Sequence, residues 1–198
     1  VRLALTSLGL AGLFAALVPG CKRAEADRPA RAMSSADYDL WRQPDAVVAA
    51  LELRPGDAVV DLGAGRGYLT GRLARAVGPS GRVVATDIDA GALAAVKSIA
   101  RTPDMAPIET RAVTADEPGL EAGAYDLILL AEVDHYLPDR VAYLGRLRSV
   151  LAAGGRLAVE NRLHHRKGLV ADAARAGYRV IDRPAPPGQF LVILEPIP

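Results

Sequence analysis

Three glycines at alternate positions, directly after a short apolar run, constrain this chain more than any other feature. The sequence reads Val59-Val60-Asp61-Leu62-Gly63-Ala64-Gly65-Arg66-Gly67-Tyr68-Leu69-Thr70. Ala58 to Leu62 has the length and character of one buried strand. Leu69, Leu73 and Val77 follow at four-residue spacing, which is the period of a helix. Glycine adopts positive φ freely and lets a ligand approach the backbone closely. A helix after such a loop points its free N–H groups toward whatever binds there. A plain tight turn can show the same spacing, so the reading needs support from other residues.

The rest of the chain alternates strand and helix signals. Tyr38 to Gln43 leads into Pro44, which suits a first helical turn. Val47, Val48 and Leu51 mark its inner face, and Arg54-Pro55-Gly56 stops it. Arg82 to Thr86 reads as strand two, Pro107 to Val113 as a weak strand three, and Tyr125 to Ala131 as a central strand four. Leu93, Val96 and Ile99 predict the helix between the second and third. Pro138 opens a further helix with Val141, Leu144, Leu147 and Leu151 inward, closed by Gly154-Gly155. Leu157 to Glu160 is strand five, Leu169 to Arg175 a helix, and Tyr178 to Asp182 and Phe190 to Leu194 the last strands. The expected fold is α/β: one doubly wound, Rossmann-like, seven-stranded sheet, mostly parallel, with one antiparallel strand near the C-terminus.

In such a sheet, ligands sit at strand carboxyl ends where the strand order reverses, and the glycine loop lies there. Asp61 precedes the first glycine by two positions, and Asp87 ends strand two, 20 residues after Gly67. A carboxylate at that strand end can accept hydrogen bonds from both hydroxyls of a ribose. A nicotinamide-binding fingerprint would want its third glycine at 68, where Tyr68 is too large for close helix–strand packing.

Asp61, Gly63, Gly65 and Gly67 resemble the first motif of the class I S-adenosylmethionine (SAM) methyltransferases, and Asp87 resembles that family's ribose-binding acid. Asp116, in Ala115-Asp116-Glu117-Pro118, falls where the family often places a side chain near the adenine amine. Leu151-Ala152-Ala153-Gly154-Gly155-Arg156-Leu157 resembles the family's turn into strand five, with Ala153 in place of proline. The resemblance covers about Trp41 to Pro196. It extends over Tyr38 to Asp89 and Asp126 to Tyr136 to a bacterial group of exported methyltransferases. It implies SAM as cofactor and methyl transfer as the reaction.

Displacement at a sulfonium methyl needs alignment of the acceptor and exclusion of water more than a fixed triad. The residues after strand four, Glu132 to Tyr136, are the candidates for chemistry. Glu132 or Asp134 could hold the methionine amine or act as a base and His135 could act as a base, so Asp134 and His135 are expected to be catalytic and Glu132 to contact the cofactor. An acid after strand four with Glu160-Asn161 after strand five resembles the divalent-metal site of catechol-type O-methyltransferases. The first acid is displaced by one position and the second is Glu rather than Asp, so no metal ligand is assigned. His164-His165 lacks a third ligand and reads as a solvated loop. Arg140, Arg146 and Arg148 read as a solvated helix face. The substrate cover is expected from Ala36 to Leu53, including Tyr38 and Trp41.

Composition narrows the partners. Lys plus Arg total 24 against 23 Asp plus Glu, so bulk charge does not hold nucleic acid. No Asn- or Asp-Pro-Pro-Tyr run follows strand four, which disfavours methylation of a nucleic-acid base. Cys21 is the single cysteine, which excludes a disulfide framework and, from its place in the leader, a catalytic thiol. Leu3 to Val18 is nearly continuous Leu, Ala, Gly and Val, marginal against the roughly 20 residues of a membrane span. Arg2 before it and Val18-Pro19-Gly20-Cys21 after it resemble a bacterial lipoprotein leader, with Pro19 unusual there. The expected organisation is a leader over 1–21, a tether over 22–36 and a methyltransferase domain over 37–198. Lipid attachment through Cys21 would place the protein at a bacterial envelope membrane, and a misread start would leave it cytoplasmic. The expected acceptor is small or membrane-presented. The alternative is a non-catalytic SAM-binding envelope module, since SAM is made in the cytoplasm.

Overall fold

The computed structural model describes residues 35–99 and 101–198. The readings over 1–34, Cys21 among them, lie outside the described residues. The compact unit is Ser35–Pro198. Helix α1 (Ser35–Arg42) is followed by α2 (Pro44–Ala50), whose Pro44 occupies the first turn. Strand β1 (Ala58–Leu62), helix α3 (Thr70–Val77), strand β2 (Arg82–Asp87), helix α4 (Ala90–Lys97) and strand β3 (Ile108–Ala112) then alternate. Strand β4 (Tyr125–Ala131) runs into a 3-10 turn, Asp134–Tyr136. Helix α5 (Arg140–Arg148), β5 (Leu151–Arg162), α6 (Leu163–Arg175), β6 (Tyr178–Arg183) and β7 (Gln189–Pro196) complete the chain. Among the described residues no helix is long and apolar enough to cross a membrane.

The seven strands form one sheet in the order β3-β2-β1-β4-β5-β7-β6. Only β7 runs antiparallel to its neighbours β5 and β6. The chain enters at β1, walks outward to β3, then returns to pair β4 against the other edge of β1. The strand order therefore reverses between β1 and β4, which opens a crevice at their carboxyl ends.

Both sheet faces are covered, and strand parity decides which face each residue serves. Leu127 and Leu129 of β4 join Val59, Leu73, Val77 and Val96 in one core. Ile128 and Leu130 join Val60, Leu144, Leu147 and Leu169 in the other. Asp61 shares the parity of Val59, so it points to the α3 face and meets Thr70 at the start of that helix.

Three stretches depart from the sequence reading. Helix α5 opens after Asp139 rather than at Pro138, because the Asp139 carboxylate accepts the Ala142 N–H at 3.0 Å and caps the helix. It ends at Arg148, and Leu151 belongs to β5. There Tyr125 pairs with Leu151 but Leu127 pairs with Arg156, so Gly154-Gly155 form an irregularity inside the strand rather than a helix stop. Helix α6 starts at Leu163, which places His164 and His165 on its first turn instead of in a loop. Its first turn carries no apolar stripe, and buried Leu169 and Ala173 come only later. Arg166 secures the start through Asp182 at 2.6 Å.

Gly155 lets β5 close on β4: a Cβ there would lie 2.6 Å from the Tyr125 carbonyl oxygen and 2.9 Å from that of Ala152. Gly145, in α5, has nothing within 4 Å of the corresponding position. Urea unfolding should show Gly155→Ala destabilised by roughly 1–3 kcal/mol. Gly145→Ala should be stabilised by about 0.5–1 kcal/mol, because only helix propensity changes.

Candidate functional site

The three loop glycines serve three different purposes. Gly63 (φ +74°) lies under Val133, and a Cβ there would fall 2.3 Å from Val133 Cγ2. Gly67 (φ +85°) lets Ile99 and Val96 approach, with Ile99 Cδ1 at 2.9 Å from a virtual Cβ. Gly65 (φ +54°) faces open space, with nothing within 4 Å. The loop hangs from the end of β2. Gly63 and Ala64 donate their N–H groups to the Thr86 carbonyl at 2.8 and 2.9 Å. Gly65 donates its N–H to Asp87 Oδ2 at 2.7 Å.

Beside the loop lies a cavity of about 330 Å³, lined by Gly63, Asp87, Ile88 and Glu132 among others. Asp87 is half-buried at its rim, and its Oδ1 accepts the Asp89 N–H at 2.8 Å. A carboxylate offers about four lone-pair positions, so two stay available after these two bonds. Ile88 is 68% exposed and gives the cavity an apolar flank. Thr86 is buried on the same wall, and its hydroxyl has no hydrogen-bond partner among the described residues. Thr114 and Ala115 also line it, whereas exposed Asp116 lines an adjoining cleft with Asp139 and Arg146.

Carboxylates gather behind this cavity. Asp61 is buried, and its Oδ2 accepts the Thr70 hydroxyl at 2.6 Å. Burial, with the Asp87 charge adding to it, pushes the Asp61 carboxyl up to about 6 against the pull of Thr70 and Arg42. Glu132 holds a left-handed backbone (φ 55°), uncommon for a residue with a side chain. Glu160, at the end of β5, is wholly buried. Burial pushes its carboxyl up to about 7, and Glu132 and Asp134 act in the same direction against Arg42.

Arg42, on the last turn of α1, meets two of these carboxylates. Its Nη1 lies 2.7 Å from Glu132 Oε2 and its Nη2 lies 2.8 Å from Glu160 Oε2. These are close charge contacts rather than aligned hydrogen bonds, since Nη1 and both Glu160 oxygens lack a hydrogen-bond partner among the described residues. Tyr68, Trp41 and Tyr38 surround the guanidinium at 5.7, 5.9 and 6.0 Å from their ring centroids. The segment expected to cover the site lines none of this cavity and supplies a buried cation behind it instead.

The residues after β4 divide between structure and surface. Asp134 is wholly buried and reaches neither cavity edge. Its Oδ2 accepts from Arg140 Nη1 at 2.9 Å, and its Oδ1 accepts from Asn161 Nδ2 at 2.7 Å. Arg140 also reaches Asp172 at 2.6 Å and so pins the 3-10 turn to α6, instead of lying on a solvated face. Arg148 is likewise engaged, donating to the Gly177 and Ile197 carbonyls. His135 and Tyr136 face a second cavity of about 300 Å³, shared with Asn161, Arg162, His164 and His165. Arg42, Asn161 and the histidine pair are the site residues the sequence reading did not assign. A cation flanked by Tyr38 and Trp41 was the available signal for Arg42.

The comparisons agree with this geometry. Residues 60–157 match the model of a family described as "Methyltransferase domain". The chain is 33% identical over 103 residues to aklanonic acid methyltransferase DauC of Streptomyces sp. (strain C5), covering 52% of this chain and 47% of that protein. It is 29% identical over 106 residues to nocamycin O-methyltransferase of Saccharothrix syringae, covering 54% and 38% respectively. The chain spans about a third to a half of the length of the curated relatives it matches. Its fold is similar to that of a SAM-dependent methyltransferase from Aquifex aeolicus, with a TM-score of 0.74 at 19% identity, covering 82% of this chain and 93% of that one. The chain carries a methyltransferase domain, and its fold is that of the class I methyltransferases.

The buried acids make stability depend on pH with a definite sign. Glu160 binds its proton more tightly in the folded chain, at about 7, than at its ordinary 4.5. Between those values the folded state holds more protons than the unfolded state, so stability falls as pH rises. Asp61 adds the same sign between 3.8 and about 6. Urea unfolding from pH 5 to 8 should show this decline, with Glu160 contributing about 3 kcal/mol across its full range. Glu160→Gln should flatten the slope above pH 6, where Asp61 no longer contributes.

Proposed function

We propose that the protein transfers a methyl group from SAM to a small-molecule acceptor. The observation that carries this is the open face of Gly65 beside Asp87, in a cavity at the strand-order reversal. Glycine at 65 leaves room for a ligand, and the two spare lone-pair positions of Asp87 suit the two hydroxyls of a ribose. Ile88 and Ala115 offer apolar contact to a purine, and the Thr86 hydroxyl adds a polar one. Asp61 and Glu132 supply negative charge toward an ammonium and a sulfonium. These residues fit SAM, whose chemistry here is an activated methyl group on positively charged sulfur.

The chain's own part is to bind, orient and exclude water. Asp87 fixes the loop and the sugar together, because one carboxylate serves both. Asp134 acts as a positioning residue. It is buried between Arg140 and Asn161, and it holds the 3-10 turn that separates the two cavities. The small size of the cavities and the names of the matched relatives support a small acceptor.

Titration calorimetry of the full chain should show binding of SAM and S-adenosylhomocysteine and none of NAD. Asp87→Ala should weaken SAM binding by roughly 1.5–3 kcal/mol through loss of charge-assisted hydrogen bonds. Asp116→Ala, in the adjoining cleft, should change it by less. Binding of NAD in place of SAM, or equal SAM affinity in wild type and Asp87→Ala, would refute the assignment. Incubation with labelled SAM and a panel of phenols, enols and amines then tests transfer itself.

A further inference from the structure

We infer that the second cavity is the acceptor site and that it is built for a small planar molecule carrying an anionic oxygen; this rests on the methyltransferase reading. The two cavities share Glu132 and Tyr136 as wall residues, so occupants of the two are neighbours across that wall. Tyr136 is 76% exposed, a large ring with one face free to cover a ligand.

All three histidines of the chain meet in this cavity. The His135 ring stacks on His165 with centroids 4.4 Å apart and planes at 15°. His164 and His165 lie 3.9 Å apart, and His135 and Tyr136 lie 4.0 Å apart. Rings stacked face to face do not aim their nitrogens at one point. Among the described residues no group of three or more His, Cys, Asp or Glu is disposed to hold a metal ion. The rings instead offer flat, polarisable faces to a planar ligand.

Hydrogen bonds fix which His135 nitrogen carries the proton. Arg162 donates its backbone N–H to Asn161 Oδ1 at 2.7 Å, which sets the orientation of that amide. The amide nitrogen then has two hydrogens to place. One goes to Asp134 Oδ1 at 2.7 Å and the other to His135 Nδ1 at 2.8 Å. Nδ1 is therefore an acceptor, and the proton of the neutral ring sits on Nε2. His135 presents a donor to the cavity. A general base would need the opposite tautomer.

The remaining groups point the same way. Arg162 brings a permanent charge on an exposed side chain at the cavity wall. The one carboxylate on the wall, Glu132, already faces Arg42 at 2.7 Å and Arg162 at 3.6 Å. A cavity of donors, a guanidinium and aromatic faces complements an oxyanion on a flat ring. An acceptor bound in that form has no proton to lose, so the cavity needs no base.

The test uses the full chain without SAM, with benzoate as probe and benzamide as its neutral isostere. Long-range 1H–15N spectra of the histidine rings read both tautomer and binding. Wild type should show one ring as the Nε2–H tautomer and saturable shifts with benzoate that benzamide does not reproduce. His135→Phe keeps the stacked ring but removes the donor, and Arg162→Gln removes the charge. Each should weaken benzoate binding by about 10-fold or more while leaving the thermal midpoint near wild type. Benzoate should bind equally well, or better, when S-adenosylhomocysteine is saturating. Absence of benzoate shifts, equal response to benzamide, or competition with S-adenosylhomocysteine would each overturn the proposal. SAM affinity, measured separately, tells failure of the cofactor reading from failure of this one.

Discussion

Parallel strands end at the same edge of a sheet, and here four adjacent strands each deliver a carboxylate to that edge. Asp87 closes β2, Asp61 lies near the end of β1, Glu132 follows β4 and Glu160 lies near the end of β5. Their spacing is set by the strands themselves, so the charges cannot move apart without breaking the sheet. Burying several like charges together is costly unless they are paired or protonated. The chain does both. Arg42 is inserted between Glu132 and Glu160, and burial raises the proton affinity of Glu160 and Asp61. A single buried guanidinium against this set leaves the edge short of positive charge.

The loop and the crevice follow from the same topology. β1 is buried between β2 and β4, and the chain must leave it within a few residues while clearing Val133 on one side and Val96 and Ile99 on the other. Glycine meets both constraints, and the one loop glycine without a neighbour faces open space beside the first cavity. The 3-10 turn after β4 then separates this space from the histidine-lined cavity. Its buried anchor, Asp134, links Arg140 of α5 to Asn161 of β5. One short turn thus carries a wall residue of each cavity on a support drawn from both layers of the fold.

Local signals account for what was legible in the sequence. The apolar runs of β1 and β4 stand at their expected bounds because both strands are buried on both faces, and the single antiparallel strand is where the C-terminal pattern implied. The glycine spacing with Asp61 and Asp87 located the first cavity. The partners of Arg42 were not legible, because Glu132 and Glu160 lie far along the chain and only the sheet register brings them together. The start of α6 was hidden for a different reason. Its first turn is held by Arg166–Asp182 and by the stacked histidines, neither of which leaves an apolar period. Arg140 read as surface charge because its partners, Asp134 and Asp172, lie outside its own helix, and its side chain turns inward to them.

The placement of Arg42 ties the first helix to the occupancy of the site. The guanidinium that faces Glu132 and Glu160 belongs to a peripheral helix, which also accepts from the Gln189 side chain at the Trp41 carbonyl and from the Tyr68 hydroxyl at Asp39. A ligand that brings positive charge to these carboxylates draws on the same field that holds Arg42. The two are therefore reciprocal: whatever tightens one loosens the other by an equal free energy. Helix α1 is, in this sense, an intramolecular counterion, carried on a separate element from the strands whose charges it meets.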